Sequence, residues 1–354
     1  MQPLRAGIIG AGAMAGAHTR AVRAAGHEVV AISSSSVASA SRAAEHLGIK
    51  QVFENASALI AADIVDVVHV CTPNRFHLEP TEAAILAGKP VVCEKPISMT
   101  LAEADRMLAL ADAHGIPTAV PFIYRYYEVA TGMHAQLRAL AEAGGGSSRL
   151  KHIQGAYLQD WLLAPGSINW RVDPALGGES RVFADVGIHW CDLMEFVTGH
   201  RITRLRAKFS NLYADRPTED TAEVEFETDR WATGGVVVSQ VAEGHSNDLS
   251  FSFQTSDAGT SATPLAFNEF DSADYQPSFN RFMVDAYASF ASWAATGSDF
   301  GAETPVSGAD SPAPSTKLLT ASPNLPTFAD GRRAASLIDA VVRSARTGEW
   351  VVPL

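Results

Sequence analysis

The amino-acid sequence predicts an α/β protein of two domains, a doubly wound parallel sheet followed by a domain with a mostly antiparallel sheet. The length of 354 residues suits two domains with sizeable cores. Up to about residue 120, short apolar runs alternate with helical patterns, as in parallel strands that crossover helices connect. Beyond residue 202, strand patterns follow one another directly, which favours antiparallel pairing. The predicted domains are residues 1–123 and 124–354.

The first domain consists of alternating strands and helices whose ends are marked by turn residues. The predicted strands are Leu4–Ile9, Glu28–Ile32, Asp66–Val70, Pro90–Cys93 and one that begins at Ile116. The predicted helices are Met14–Ala25, Ser39–Leu47, Glu79–Ala87 and one that ends at His114. Thr100 and Glu103 form a capping box at the start of that last helix. These elements predict a sheet of at least five strands.

The second domain shows a different pattern. In Thr221–Thr228 and Leu249–Gln254, apolar residues alternate with polar ones, which predicts strands with one apolar face. From Phe279 to Trp293 the apolar residues recur at helical spacing, which is typical of a core helix. A last helix is predicted over Ala329–Arg346. Two segments without periodicity are interpreted as loops, namely Gly144–Ser148 and the proline-rich residues 301–326.

The composition limits the kinds of partner. With 27 basic and 39 acidic residues the formal charge is −12, which argues against nucleic acid or an anionic membrane as the main partner. No apolar run reaches the ~18 residues that a membrane span needs. The 3 cysteines are far apart and predict neither a disulfide framework nor a zinc site. We therefore expect a cytoplasmic protein without a bound metal.

The segment Ala6–Ala17 allows two interpretations. Preceded by Arg5, it resembles a short signal peptide with a cleavage site at Ala13–Ala15. The alternative is a buried strand followed by a glycine-rich turn. We favour the second interpretation, because the segment is too rich in glycine for a signal helix and matches a phosphate-binding pattern.

That pattern is G-x-G-x-x-A, and it stands between the first strand and the first helix. Gly10 permits a tight turn, Gly12 lets backbone amides approach a pyrophosphate, and Ala15 lets the helix and the strand pack closely. In this strand–turn–helix context the pattern predicts a bound dinucleotide. The residues expected to contact it are Gly10, Gly12, Ala13 and Met14.

The end of the second strand carries serines where an NAD-specific site carries Asp or Glu for the ribose 2′-hydroxyl. Ser33, Ser34 and Ser35 are the expected cofactor contacts. Their hydroxyls can bind a 2′-phosphate without repelling it, so NADP is slightly favoured over NAD. The alternative is a plain loop, because no arginine directly follows the serines.

Other polar segments are placed where a ligand would bind. Cys71–His77 (CTPNRFH) and Glu94–Pro96 (EKP) each follow a buried strand, and ligands of such sheets bind at the carboxyl ends of the strands. Further along, Asp185 and His189 are four residues apart at the start of the predicted helix Gly187–Val197. That spacing lets both side chains reach one pocket.

The combination of G-x-G-x-x-A, CTPNRFH, EKP and DVGIHWCD (residues 185–192) resembles the Gfo/Idh/MocA family, which includes glucose–fructose oxidoreductase and inositol dehydrogenase. The resemblance covers nearly the whole chain. It implies an N-terminal Rossmann domain and a C-terminal α/β domain whose large open sheet supports a homodimer or homotetramer. It also implies that bound NAD or NADP oxidises or reduces a sugar, a polyol or a related compound. One departure lies at Gly177-Gly178-Glu179, where the family has three glycines.

The resemblance also implies roles for single residues. Lys95 would stabilise a developing alkoxide, His189 would act as the general base, and Asp185 would position the substrate or the histidine. The positive end of the predicted helix would keep the imidazole neutral, with oxidation rising through a group that titrates near neutrality. Cofactor contacts are expected from Thr72, Pro73, Asn74, His77, Glu94, Lys95, Arg125, Trp170 and Arg171. Substrate contacts are expected from Lys95, Tyr124, Trp161, Trp170, Asp185 and His189.

Two other functions fit the same motifs. One is a dinucleotide-binding regulator without turnover, although the joint presence of Lys95, Asp185 and His189 argues against it, since a sensor needs no base. The other is an NAD-dependent glycosidase, in which transient oxidation of one sugar carbon permits elimination of a leaving group. The sequence does not separate this function from that of a simple dehydrogenase.

Overall fold

The computed structural model describes residues 2–143, 150–167, 169–255, 265–268, 272–296 and 324–354. The predicted loop at Gly144–Ser148 and most of the predicted loop at residues 301–326 lie outside these ranges. Within them, the chain forms two sheets of six strands each, with helices on their faces.

The first sheet is entirely parallel and has the strand order β3-β2-β1-β4-β5-β6, which is the doubly wound order of a Rossmann fold. Its strands are β1 (Arg5–Ile9), β2 (Glu28–Ser33), β3 (Gln51–Val52), β4 (Val67–Val70), β5 (Val91–Cys93) and β6 (Thr118–Ala119). The predicted parallel sheet is confirmed. The short strand β3 was not predicted, because two residues carry no periodicity.

Five helices accompany this sheet: α1 (Ala13–Ala24), α2 (Val37–Leu47), α3 (Ala56–Ala61), α4 (Leu78–Leu86) and α5 (Leu101–His114). The predicted cap of α5 is present, since the Thr100 hydroxyl accepts a hydrogen bond from the Glu103 amide at 3.2 Å. Helix α2 begins two residues earlier than predicted, because Ser36 caps it by accepting from the amide of Ser39 at 3.2 Å. Ser36 is therefore part of the helix start and not of a free loop.

The second sheet has the order β12-β11-β7-β10-β9-β8, and only its β7–β10 pair is parallel. Its strands are β7 (Leu150–Leu158), β8 (Ile202–Ser210), β9 (Thr221–Thr228), β10 (Thr233–Ser239), β11 (Asp248–Thr255) and β12 (Leu265–Asn268). The predicted alternation in β9 is confirmed: Ala222, Val224 and Phe226 are buried. On the other face, Arg206 and Glu225 form an exposed ion pair at 2.9 Å.

The helices of the second half are α6 (Glu128–Ala143), α7 (Pro174–Gly177), α8 (Ile188–Thr198), α9 (Tyr275–Ala295) and α10 (Phe328–Thr347). Helix α9 packs against α1 of the first sheet, and α10 packs against α5 and β8. The last part of the chain therefore contacts both sheets. None of the described helices combines the length and the apolar character that crossing a membrane requires.

A glycine in the middle of the second sheet allows α8 to approach it closely. A Cβ atom at Gly155 would lie 2.1 Å from the carbonyl oxygen of Ser250 and 2.5 Å from Nε1 of Trp190. Trp190 is fully buried on α8 and donates from Nε1 to the same Ser250 carbonyl at 3.0 Å. The position of α8 on the sheet therefore depends on the missing side chain at Gly155.

Gly155→Ala should lower the free energy of unfolding by about 1–3 kcal/mol or more, because the added methyl group meets backbone and a buried indole. Gly132→Ala is the matched control, since a Cβ at this exposed position of α6 meets nothing within 4 Å. The control should be neutral or stabilising by up to about 1 kcal/mol. Urea unfolding measures both variants, and equal stability of the two would contradict the packing described here.

Candidate active site

The glycine-rich turn after β1 leaves the start of α1 open to a ligand. Gly10 has a φ of +115°, and a Cβ there would lie 2.5 Å from the carbonyl oxygen of Cys71, so both conformation and space require glycine. Gly12 is the N-cap of α1, it has no side chain to cap the helix, and a Cβ there would meet nothing within 4 Å. The first amides of α1, at Ala13 and Met14, therefore stay available to an anion. This geometry fits the pyrophosphate of a dinucleotide.

The serines at the end of β2 differ in accessibility. Ser33 is fully buried, and its hydroxyl has no hydrogen-bond partner among the described residues. Ser34 is half-buried, with its Oγ 3.5 Å from the Oγ of Ser39, and Ser35 is exposed. Ser34 and Ser35 are thus the serines that a bound ribose or 2′-phosphate could reach.

The loop after β4 is held by its own polar side chains. Asn74 is buried and donates from Nδ2 to the carbonyl of Gly177 at 2.9 Å. The ring nitrogens of the buried His77 lie 2.9 Å from the carbonyl oxygen of Pro96 and 2.7 Å from that of Thr72. Burial lowers the pKa of His77. These two side chains bind backbone, so in this structure they shape the loops; their expected cofactor contacts, like those of Thr72 and Pro73, stay predictions.

Asp185 is the centre of the site. Lys95 Nζ donates to its Oδ1 at 2.9 Å and to its backbone carbonyl at 2.8 Å. Arg171 Nε donates to the same Oδ1 at 3.1 Å, and Gln240 Nε2 donates to Oδ2 at 2.8 Å. Burial opposes ionisation, but the Lys95 and Arg171 cations hold the pKa of Asp185 well below its usual range. The carboxylate is thus ionised, and it fixes the Lys95 ammonium in the cleft.

The segment that carries Asp185 is helical earlier than predicted. A π-helical turn, Phe183–Gly187, runs directly into α8, so the helical structure starts four residues before the predicted Gly187. The buried Glu219 satisfies hydrogen-bond donors at this start. It accepts from Ser180 Oγ at 2.6 Å and from the amides of Arg181 and Phe183 at 3.0 and 3.1 Å. His189 therefore lies inside the helical segment and not at its positive end.

His189 is buried, with 8% of its surface exposed, and it packs edge-on against Phe122 and Tyr124. Its Nδ1 atom has no hydrogen-bond partner within the described part of the chain. Burial, and then the nearby Lys95 cation, lower the pKa of His189 well below its ordinary value. The imidazole is neutral as predicted, but burial and not a helix end is the main cause. The direction of this shift argues against a titration of His189 near neutrality and favours one at more acidic pH.

Tyr124 and Trp161, two aromatic residues predicted at the substrate site, are connected through hydrogen-bonded side chains. The hydroxyl groups of Tyr124 and Tyr157 are 2.5 Å apart, and Tyr157 donates to Asn247 Oδ1 at 2.8 Å. Gln159 also donates to Asn247 Oδ1, and its own Oε1 accepts from Trp161 Nε1 at 2.8 Å. Trp161 is held by this hydrogen bond and stays 38% exposed. Trp170 lies under the Arg171 guanidinium, 4.4 Å from the ring centroid.

Arg125 is engaged elsewhere. Its guanidinium donates to Asp192 at 2.9 and 2.5 Å and to Asp330 at 2.6 Å, joining α8 to α10. Burial raises the pKa of Asp192 to about 6, against the effect of Arg125. The structure thus brings together Lys95, Arg171, Asp185 and His189 but gives Arg125 two carboxylate partners outside this group. Its contact with a nicotinamide stays a prediction.

Sequence reasoning missed two residues that build the site. Gln240 directly follows the apolar strand β10, and its polarity at a strand end was the available signal. Glu219 carried no signal, because its contacts with Ser180, Arg181 and Phe183 span nearly forty residues of sequence. Both residues act on Asp185, one directly and one through the turn that carries it.

Comparisons with known proteins identify the family. Residues 4–122 match the model of an oxidoreductase family with an NAD-binding Rossmann fold, and residues 134–259 match the GFO/IDH/MocA C-terminal domain. The levoglucosan dehydrogenase of Pseudarthrobacter phenanthrenivorans is 26% identical over 99% of this chain and 98% of its own length. The 1,5-anhydro-D-fructose reductase of Ensifer adhaerens is 34% identical over 54% of this chain and 56% of its own.

Solved structures show the same fold. A levoglucosan dehydrogenase in complex with NADH and L-sorbose superposes with a TM-score of 0.80 at 22% identity, covering 100% of both chains. An oxidoreductase domain protein from Kribbella flavida superposes with a TM-score of 0.80 at 26% identity, again over 100% of both chains. The glycine-rich turn and the first sheet define a Rossmann fold, and the family model gives the class of protein, an oxidoreductase. The chain belongs to the Gfo/Idh/MocA family.

The ionisation of His189 can be measured directly. We expect its imidazole to titrate well below the value of about 6.5 that is usual for histidine, because burial and Lys95 disfavour the cation. Lys95→Met should raise that pKa, since it removes the positive neighbour. NMR titration, with the resonance assigned through His189→Gln, tests both statements. A midpoint at or above 6.5 in the unchanged protein would contradict them.

Proposed function

We propose that this protein is an NAD(P)-dependent oxidoreductase that transfers a hydride between nicotinamide and a secondary alcohol or ketone of a sugar, a polyol or a related compound. The observation that carries the proposal is the buried cluster of Lys95, Asp185 and His189, beside the carboxyl edge of a sheet with an open dinucleotide turn. The names of the relatives, a levoglucosan dehydrogenase and a 1,5-anhydro-D-fructose reductase, support a carbohydrate substrate.

The chain offers groups for each part of the cofactor. The amides at the start of α1 would hold the pyrophosphate, and Ser34 and Ser35 would contact the ribose that distinguishes NADP from NAD. When bound, the nicotinamide accepts or supplies the hydride. Lys95, at the end of β5, would lie beside the reacting carbon.

Lys95 and His189 have separate roles in the reaction. The ammonium of Lys95 stabilises negative charge that develops on the substrate oxygen during oxidation. Asp185 fixes the position of this group, while Gln240 and Arg171 hold Asp185. His189 is neutral, so a ring nitrogen has the lone pair that accepts the hydroxyl proton. A neutral base is available at neutral pH, which suits the oxidation.

Other surfaces support the remaining expectations. The exposed indole of Trp161 offers an apolar face to the C–H groups of a sugar ring. The outer face of the second sheet, with ion pairs such as Arg204–Glu227, is the proposed contact between identical subunits. Assembly through this face and a cytoplasmic location stay predictions.

The function is tested by following cofactor reduction on a panel of sugars, polyols and glycosides. Reduction of the cofactor with one class of these substrates supports the proposal. Saturable cofactor binding without turnover on the whole panel would indicate a regulator. Release of an aglycone without net cofactor reduction would indicate a glycosidase that uses transient oxidation.

Lys95→Met should reduce kcat by on the order of 100-fold or more while cofactor binding is retained, because the developing alkoxide loses its charge partner. Lys50→Met, at an exposed position of the same domain, removes the same charge and should leave kcat unchanged. Steady-state kinetics and calorimetric titration with the cofactor make the comparison. A near-normal kcat in Lys95→Met would remove Lys95 from the mechanism.

NADP should bind at least as well as NAD, because no carboxylate stands at the end of β2 to repel a 2′-phosphate. Ser34→Asp should shift the preference towards NAD; Ser34 is the better position for this change because Ser33 is fully buried. Ser41→Asp, an exposed position within α2, is the charge-matched control. Dissociation constants for both cofactors decide, and NAD binding tighter by about tenfold in the unchanged protein, about 1.4 kcal/mol, would refute the prediction.

A further inference from the structure

Four buried side chains form a hydrogen-bonded chain beneath the carboxyl edge of the first sheet. Glu94 Oε1 lies 2.9 Å from His18 Nε2, and His18 Nδ1 lies 2.8 Å from His69 Nδ1. His69 Nε2 lies 2.8 Å from the hydroxyl of Tyr287 on α9. Glu94 is 7% exposed and the other three side chains are fully buried. The function proposed above uses none of these contacts.

With Glu94 ionised and both imidazoles neutral, this chain has one consistent arrangement of protons. A carboxylate only accepts, so His18 donates from Nε2 and keeps a lone pair on Nδ1. That lone pair accepts from Nδ1 of His69, whose Nε2 then accepts from the hydroxyl of Tyr287. Every donor thus points towards Glu94, and every polar atom of the chain has a partner.

This arrangement keeps the negative charge on Glu94. A proton could reach the carboxylate along the chain only by leaving Tyr287 as a phenolate, and burial raises the pKa of that phenol well above its usual value. Burial also lowers the pKa of His69, so this ring takes up no further proton. The second carboxylate oxygen accepts from the Lys95 amide at 3.2 Å. Burial opposes ionisation of Glu94, but its hydrogen bond with His18 and the nearby Lys95 cation hold its pKa below the usual value. Glu94 is therefore a fixed, buried anion.

Under the proposed function, Glu94 would lie on the nicotinamide side of the fold. In a sheet of this order, the two halves each bind one mononucleotide, with the pyrophosphate at the start of α1 between them. If Ser34 at the end of β2 contacts the adenosine half, the nicotinamide half extends towards β5, where Glu94 follows the last strand residue. The neighbouring Lys95 ammonium is paired with Asp185. The oxidised nicotinamide ring carries a positive charge, whereas the reduced ring is neutral.

We propose that Glu94, fixed by the chain of His18, His69 and Tyr287, makes the site prefer the oxidised over the reduced cofactor. The inference rests on the proposed function. Its physical basis is that a buried anion attracts the oxidised ring and has no comparable interaction with the reduced one. Glu94 acts on the cofactor through its negative charge, and the three partners maintain its orientation.

Glu94→Gln in the full-length chain tests the proposal. The new side-chain amide can donate to His18. The direction of every hydrogen bond in the series then reverses, so that His18 donates to His69 and His69 donates to Tyr287. The bonds along the chain are retained, so folding is expected. The ratio of the dissociation constant for oxidised cofactor to that for reduced cofactor, both measured by calorimetry, should rise at least about tenfold. Glu82→Gln, in an ion pair with the exposed Arg106, should leave the ratio unchanged.

Two further variants separate charge from packing. Tyr287→Phe removes the hydrogen bond to His69 but keeps the anion and its direct contacts with His18 and the Lys95 amide, which still fix the carboxylate. This variant should therefore lower the melting temperature and leave the ratio unchanged. Glu94→Asp keeps the charge and should stay near the original ratio. An unchanged ratio in Glu94→Gln, or a tenfold rise in either of the other two variants, overturns the proposal. If the unchanged protein binds neither redox form, it is the proposed function itself that fails.

Discussion

The Asp185 carboxylate joins parts of the chain that are distant in sequence. Lys95 comes from the end of β5, Arg171 from a short turn before α7, and Gln240 from the end of β10, and all three donate to this one group. Without the anion, two cations would face each other in a largely buried space, which is strongly unfavourable. The carboxylate therefore holds the first sheet, the second sheet and the segment before α8 in a common geometry.

The position of the Asp185 carboxylate depends on how the π-helical turn that carries it is held. Glu219 occupies the amides at the start of the turn, and the buried pair of Arg181 and Asp220 ties the same segment to the start of β9. Buried charges of this kind contribute little net stability compared with apolar packing, but each becomes costly when its partner is missing. Such a network favours a single arrangement of the backbone around Asp185. The site is thus specified by several buried charges that have few alternative partners.

Much of this structure could be predicted from sequence because its signals are local. The parallel sheet followed from apolar runs between helical patterns, the open turn from Gly10 and Gly12, and the location of Lys95 from its place after a strand. The contacts of Gln240 and Glu219 could not be predicted, because they join residues far apart in the chain. The start of the helical segment at Phe183 was also missed, since a π-helical turn has no distinct periodicity in sequence. For Arg125, the residue type indicated a charged partner but not that Asp192 and Asp330 would both provide it.

Helix α9 packs against the first half of the protein, and this contact limits the replacement of the second half by that of another protein. Phe279 of α9 packs edge-on against His18 of α1, and Tyr287 bonds to His69 on β4. The interior of the nucleotide-binding half is thus completed by residues encoded more than 150 positions after its last strand. A recombination event that joined residues 1–123 to a foreign second half would leave His18 and His69 without these partners. Exchange of the second half would therefore disturb packing inside the first, whereas changes in the loops around the cleft leave that packing intact.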